Sequence, residues 1–250
     1  MSDGGGRRAL VEDKPPLLRT LITVLITVGV VAALIGGVVA VSKAAQDTRT
    51  AVNRLDVGDD PQLAIRSTDA DVRIVDGESS DVVIEAKVTS GLLDTEYELR
   101  RRGDEIEVVG SCQRWLAPGC GVEVTVAVPP RLPVLVATDS ADVTVEGMKG
   151  HVVTIATGSG DIRGERLEVQ ELSARTRTGD VEALFVAQPF ALKARTRTGD
   201  VAARIPDGEI TYGVSVKSGS GDVRSSLTSE SDARGIVQVV TDTGDVRLSR

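Results

Sequence analysis

From Pro61 onward the chain alternates apolar and polar positions with a period of two. Runs such as QLAIRS, DVVIEAKVT, DEIEVVG and VEVTVAVPP are short and bounded by Gly, Asp and Pro, the pattern of strands that bury one face. No long pattern of period 3.6 interrupts them. Upstream the pattern changes: TLITVLITVGVVAALIGGVVAVS, residues 20–42, is apolar throughout, with no charge between Arg19 and Lys43. As a helix this segment would reach roughly 34 Å at ~1.5 Å per residue, enough for a hydrocarbon core of ~30 Å. The patterning therefore predicts one transmembrane α-helix followed by an all-β region. A buried helix and a signal peptide cut near VSKAAQ are the competing readings; a signal h-region usually runs only about 7–15 residues.

This divides the chain into four parts. Residues 1–19 are Gly-, Pro- and charge-rich and read as a disordered cytoplasmic tail. Residues 20–42 are the span. Residues 43–60 are a polar linker that continues the helix for a turn or two, and residues 61–250 are an extracytoplasmic β-repeat domain. Arg7, Arg8, Lys14 and Arg19 precede the span, and Lys43, Arg49 and Arg54 follow it closely. That bias favours a cytoplasmic N-terminus in a bacterial plasma membrane. Cys112 and Cys120 are the only cysteines. Their spacing fits neither a CxxC redox pair nor a zinc site, and outside the cytoplasm they read as a disulfide closing a short loop.

The second half of the chain repeats itself. LSARTRTGDV at 172–181 returns as LKARTRTGDV at 192–201, and the template [ST]-x-[ST]-[GA]-D-[VI] occurs six times, with its Asp at 142, 161, 180, 200, 222 and 245. An imperfect copy, STDADV, stands at 67–72. Eight positions before each Asp stand Val134, Val153, Leu172, Leu192, Val214 and Val237; one after stand Val143, Ile162, Val181, Val201, Val223 and Val246. Each unit thus reads as a strand, a tight turn at the small residue and Asp, and a second short strand. A unit of ~20 residues cannot bury its apolar face alone, so the units must stack into a β-solenoid. An antiparallel sandwich of similar hairpins is the runner-up.

These [ST]-x-[ST]-G-D-[VI] strand repeats behind a single apolar span resemble the bacterial putative-adhesin family, a β-strand-repeat domain. The resemblance covers about residues 60–250. It implies a solenoid-like fold at the cell envelope and brings no catalytic residue with it.

The repeat also frames the candidate chemistry. In register, Asp142, Asp161, Asp180, Asp200, Asp222 and Asp245 would stand about 4.8 Å apart and repel by roughly 0.9 kcal/mol per neighbour at the dielectric of water. Turn N–H groups and flanking hydroxyls would compensate, helped by Arg177 and Arg197; a Ca²⁺ ion in the column is the sharper alternative. Gly160, Gly179, Gly199, Gly221 and Gly244 read as positive-φ or close-stacking positions. Arg175, Arg177, Arg195 and Arg197 form a basic stripe on the outward face, a contact surface for wall polymer, an envelope protein or a neighbouring cell. A net charge of −8 and 2% aromatic residues argue against nucleic acid. The RGDE at 102–105 reads as a hairpin turn, and His151, the sole histidine, as an exposed strand end. No cofactor and no enzyme activity is expected, although a polysaccharide-active acidic row would suit such a fold. The chain stops inside its last repeat at GDVRLSR, so a third expectation is self-association into an envelope scaffold through that final coil's edge, with Arg247 and Arg250 guarding it.

Overall fold

The computed structural model describes residues 24–29, 47–56, 62–90, 94–102, 105–111 and 120–250. These are almost entirely β, in two facing sheets whose inner residues form one aliphatic core. Seven rungs are built alike, a strand in one sheet, a turn, and a strand in the other. The first is β2 (Leu63–Ser67) with β3 (Asp71–Asp76), so the imperfect STDADV copy is a working rung. Then come β8 (Val134–Thr138) with β9 (Val143–Glu146), β10 (Val152–Ser159) with β11 (Ile162–Leu167), and β12 (Glu171–Thr178) with β13 (Val181–Phe185). The last three are β14 (Ala191–Thr198) with β15 (Val201–Arg204), β16 (Tyr212–Ser220) with β17 (Val223–Ser225), and β18 (Gly235–Thr243) with β19 (Val246–Ser249).

Like stacks on like, as the columns predict. Val134 faces Val153, Val153 faces Leu172, Leu172 faces Leu192, and Leu192 faces Val237, all in parallel register. Alternate residues are buried along the interior strands, as in β18 and β12, which is why a chain so poor in aromatic residues still closes a core between two nearby sheets.

One correction concerns order. The rungs do not stack in chain order: β18 lies between β14 and β16, and β19 between β15 and β17. The final coil is therefore interior, and the outer edge belongs to residues 212–225. The hydrophobic effect gives the reason. The inward column three residues past the Asp reads Ala183, Ala203 and Leu248 in the interior rungs but Ser225 in the outer one. Val246 is 1% exposed whereas Val223 is 46% exposed. The more apolar rung takes the place buried on both sides. A return segment lies across part of this end: Leu227 is buried, and Ser229 Oγ accepts the Val214 N–H at 3.0 Å.

The opposite end is closed by residues between β3 and β8. There β6 (Glu105–Ser111) and β7 (Gly121–Val128) extend the two sheets beside β2 and β3. Next to them β4 (Val82–Ser90) and β5 (Glu96–Arg102) run antiparallel, and β1 (Asp47–Leu55) lies antiparallel on β4. β1 falls in the stretch expected as a linker, so residues 47–55 are sheet; their alternation is half-polar because they line a sheet edge. The β5–β6 pair flanks the RGDE sequence as the hairpin reading requires, while Gly103 and Asp104 lie outside the described residues.

Residues 24–29 are helical and exposed; the rest of the 20–42 segment lies outside the described residues. Among the described residues no helix is long and apolar enough to cross a membrane. Cys112 also lies outside them, so the expected bridge cannot be placed. Cys120, just before β7, is buried and is not a free thiol.

Candidate functional site

The six-residue motif converges on one bend, where each of its positions has a stacking role. The Asp side chains form a ladder. The Asp142 N–H donates to Asp71 Oδ1 at 3.1 Å, Asp161 N–H to Asp142 Oδ1 at 2.8 Å, and Asp180 N–H to Asp161 Oδ1 at 2.9 Å. Asp200 N–H donates to Asp180 Oδ1 at 2.8 Å, Asp245 N–H to Asp200 Oδ1 at 2.7 Å, and Asp222 N–H to Asp245 Oδ1 at 2.8 Å. The ladder follows the spatial order of the rungs and so crosses the sequence break. Every carboxylate but that of Asp222 in the outermost rung is held by the backbone of the next rung, where the sequence suggested its own turn. Such charge-assisted bonds offset the repulsion along the column.

The first Ser or Thr of the motif points inward and ties the same rungs together. Thr176 Oγ1 donates to the Gly160 carbonyl at 3.2 Å, Thr196 Oγ1 to Gly179 at 3.1 Å, Thr241 Oγ1 to Gly199 at 3.0 Å, and Ser218 Oγ to Gly244 at 2.9 Å. The glycines are required twice over. Gly199 has φ +142°, and a Cβ there would sit 2.0 Å from the Gly179 carbonyl oxygen. Ala141 fits because its rung turns differently: it has no positive φ, and its neighbour on the outer side carries Ala70.

Among the described residues no group of three or more His, Cys, Asp or Glu side chains could hold a metal ion. The ladder explains why these particular carboxylates do not converge: they are spread along the stack and face backbone amides. Nor do Arg177 and Arg197 neutralise them. The ion pairs on the column are Arg163–Asp161 at 3.5 Å and Arg224–Asp222 at 2.9 Å, each two residues past its Asp.

Arg175, Arg177, Arg195 and Arg197 do come together. β12 and β14 are adjacent, with Arg175 opposite Arg195 in register and Arg177 and Arg197 two residues farther on. All four are exposed, and they surround a recess of about 350 Å³ floored by Thr157 and Thr176 and bordered by Asp242. Among the described residues none of the four guanidinium groups makes a hydrogen bond or ion pair.

His151 departs from expectation, being 0% exposed. Its Nε2–H donates to the Pro129 carbonyl at 3.0 Å, and Asp76 Oδ1 stands 3.9 Å away. Gly150 before it has φ +70° and turns the chain inward, a detail that the flanking polar sequence did not convey. A recess missed by sequence reasoning, about 630 Å³, lies on the other sheet between Leu184, Phe185 and Pro206, with Arg166, Arg204 and Arg250 at its rim. Its signals are Leu184 and Val186, two exposed apolar residues. Arg250 reaches Asp207 there at 2.9 Å and does not guard an edge.

Residues 133–249 match a family described as Toastrack DUF4097. No curated protein is a significant match. Among solved structures, a "putative cell adhesion protein" from Clostridium sporogenes is similar at 9% identity and TM-score 0.48, over 81% of this chain and 99% of that one. A "putative adhesin" from Bacteroides fragilis is similar at 10% identity and TM-score 0.44, over 80% and 97%. A "putative lipid binding protein" from Parabacteroides distasonis is similar at 9% identity and TM-score 0.31, over 83% and 97%.

Proposed function

We propose that this chain, whose residues 133–249 match the Toastrack DUF4097 family, is a membrane-anchored, non-enzymatic, adhesin-like binding module of the bacterial envelope. In this reading residues 20–42 span the plasma membrane, residues 1–19 stay in the cytoplasm, and the rungs stand outside with Cys112 and Cys120 joined.

One observation carries the binding role. The repeated Thr and Asp side chains and the Gly carbonyls are engaged in holding rung to rung, so the motif is scaffold, and what it displays is a rigid outward face bearing the four arginines. The apolar span and the cysteine spacing support the placement. Support for a non-enzymatic role is the sealing of the lone imidazole, which cannot reach a substrate from a fully buried site.

Sidedness tests the placement: protease added to intact cells, with a C-terminal tag followed and lysed cells as control. Loss of the tag on intact cells is expected. Protection until lysis overturns the envelope placement and leaves a membrane-tethered cytoplasmic scaffold.

A second reading is self-association through the outer rung, where Val223 is half-exposed and, among the described residues, no further strand pairs with β16 or β17. Sedimentation that stays monomeric at rising concentration removes it.

A further inference from the structure

Among the described residues, many cations are matched to carboxylates and the unmatched ones are mostly scattered. Arg66 pairs with Glu105, Arg73 with Glu146, Arg163 with Asp161, Lys193 with Glu171, Arg224 with Asp222 and Arg250 with Asp207. In a chain of net charge −8, four adjacent guanidinium groups left without a partner stand out physically. Their lattice is fixed by the sheet: about 4.8 Å from β12 to β14 and about 6.6 Å from residue i to i+2 along each strand. An anion that several of its members share relieves the repulsion of such an array beyond what water and salt already screen.

The surroundings keep the array open. On the β10 side the matching positions are Ala156, which pairs with Arg175, and Gly158, so no side chain overhangs it. On the β18 side Val240 pairs with Arg195. Lys217 pairs with Val240 one strand farther out, extending the positive row. The only carboxylate bordering the recess is Asp242.

We infer that Arg175, Arg177, Arg195 and Arg197 form a docking surface for a base-free phosphate polymer. This rests on the reading of the repeats as an envelope binding module. Paired guanidinium forks suit a tetrahedral phosphate with several acceptor oxygens better than a planar carboxylate that one fork saturates. The two rows along the strands suit successive phosphates of a linear chain. Among the described residues nothing aromatic stands on this face to stack a base: Phe185 and Tyr212 are buried, Tyr97 lies on β5 at the opposite end of the sheet from β16, and Phe190 sits at the far bend.

The test uses the full chain in detergent micelles and fluorescently labelled linear inorganic polyphosphate, titrated at several salt concentrations. Saturable binding is expected, with log K falling against log salt at a slope near −3, as about four contacts at ~0.7 each require. The double variant Arg175→Gln/Arg195→Gln should lose at least tenfold in affinity and halve the slope. Arg175→Lys/Arg195→Lys should keep the slope and still lose several-fold, because the charge remains and the fork does not. Asp242→Asn should tighten binding. All of these side chains are exposed, so an unchanged melting midpoint certifies each variant as folded.

Equal binding of polyglutamate of matched charge overturns the phosphate preference. Tighter binding of a single-stranded oligonucleotide overturns the base-free assignment, and capture by anionic lipid vesicles in place of polymer overturns the polymer. If polyphosphate fails while isolated cell-envelope material binds the wild type and not the double variant, the phosphate assignment falls and the module reading stands. If envelope material binds neither, both fall.

Discussion

A single added methyl group measures how closely the rungs approach. At Gly199 the backbone lies at φ +142° and the incoming Cβ would meet a carbonyl oxygen at 2.0 Å. Gly199→Ala should therefore cost more than about 3 kcal/mol, since both the left-handed backbone and the rung spacing resist it. Ala141→Gly, at a turn without that φ, should cost only about 0.5–1 kcal/mol; urea unfolding of the two variants gives the comparison. Tyr212 offers a pH readout at the same scale. Its hydroxyl donates to the Pro189 carbonyl at 2.7 Å, and burial pushes its pKa up to about 12, with Arg250 pulling weakly the other way. The folded state thus holds this proton more tightly than the unfolded chain, whose phenol ionises near pH ~10. The resulting stability is complete below that pH and is lost as pH rises from ~10 toward 12. Tyr212→Phe should flatten that part of the stability profile, measured as melting midpoint against pH.

At the scale of the strand pair, two rungs that share the same GDVR turn have different worth because of where they lie. Val246→Ser should cost about 3 kcal/mol, through lost burial and an inserted hydroxyl. Val223→Ser at the equivalent position should cost less than about 1 kcal/mol; chemical denaturation of each variant decides. The strand–turn–strand unit and its apolar columns were legible from the alternation alone, because a period of two and a recurring turn leave few other solutions. The ladder was half legible: the Asp column was visible, but its hydrogen bonds run between rungs, and only stacking reveals that. Arg175 beside Arg195 followed from in-register pairing. The rung order did not follow from the repeat, which is the same in every copy. It was written instead in one exception, Ser225, at a column that elsewhere carries an aliphatic or Gly residue. His151 was misread because neighbouring polarity says little about a bend that Gly150 turns inward.

Across the whole molecule the two ends differ in kind. One is closed by antiparallel strands from the long excursion between β3 and β8, and the other carries the polar rung 212–225 beneath the 226–234 return segment. The arginine face lies between them on the most regular part of the stack, where neighbouring rungs hold its geometry. The exchanged order of the last two rungs also bears on how the protein is made. A chain leaving the ribosome, or threading through a secretion channel, delivers residues 212–225 before 235–249. At that moment β14 and β15 offer the earlier rung an edge that matches its motif but belongs to the later one. Assembly cannot simply follow the direction of synthesis: the first arrival must wait or be displaced, and the growing stack keeps a reserved place until its true neighbour emerges.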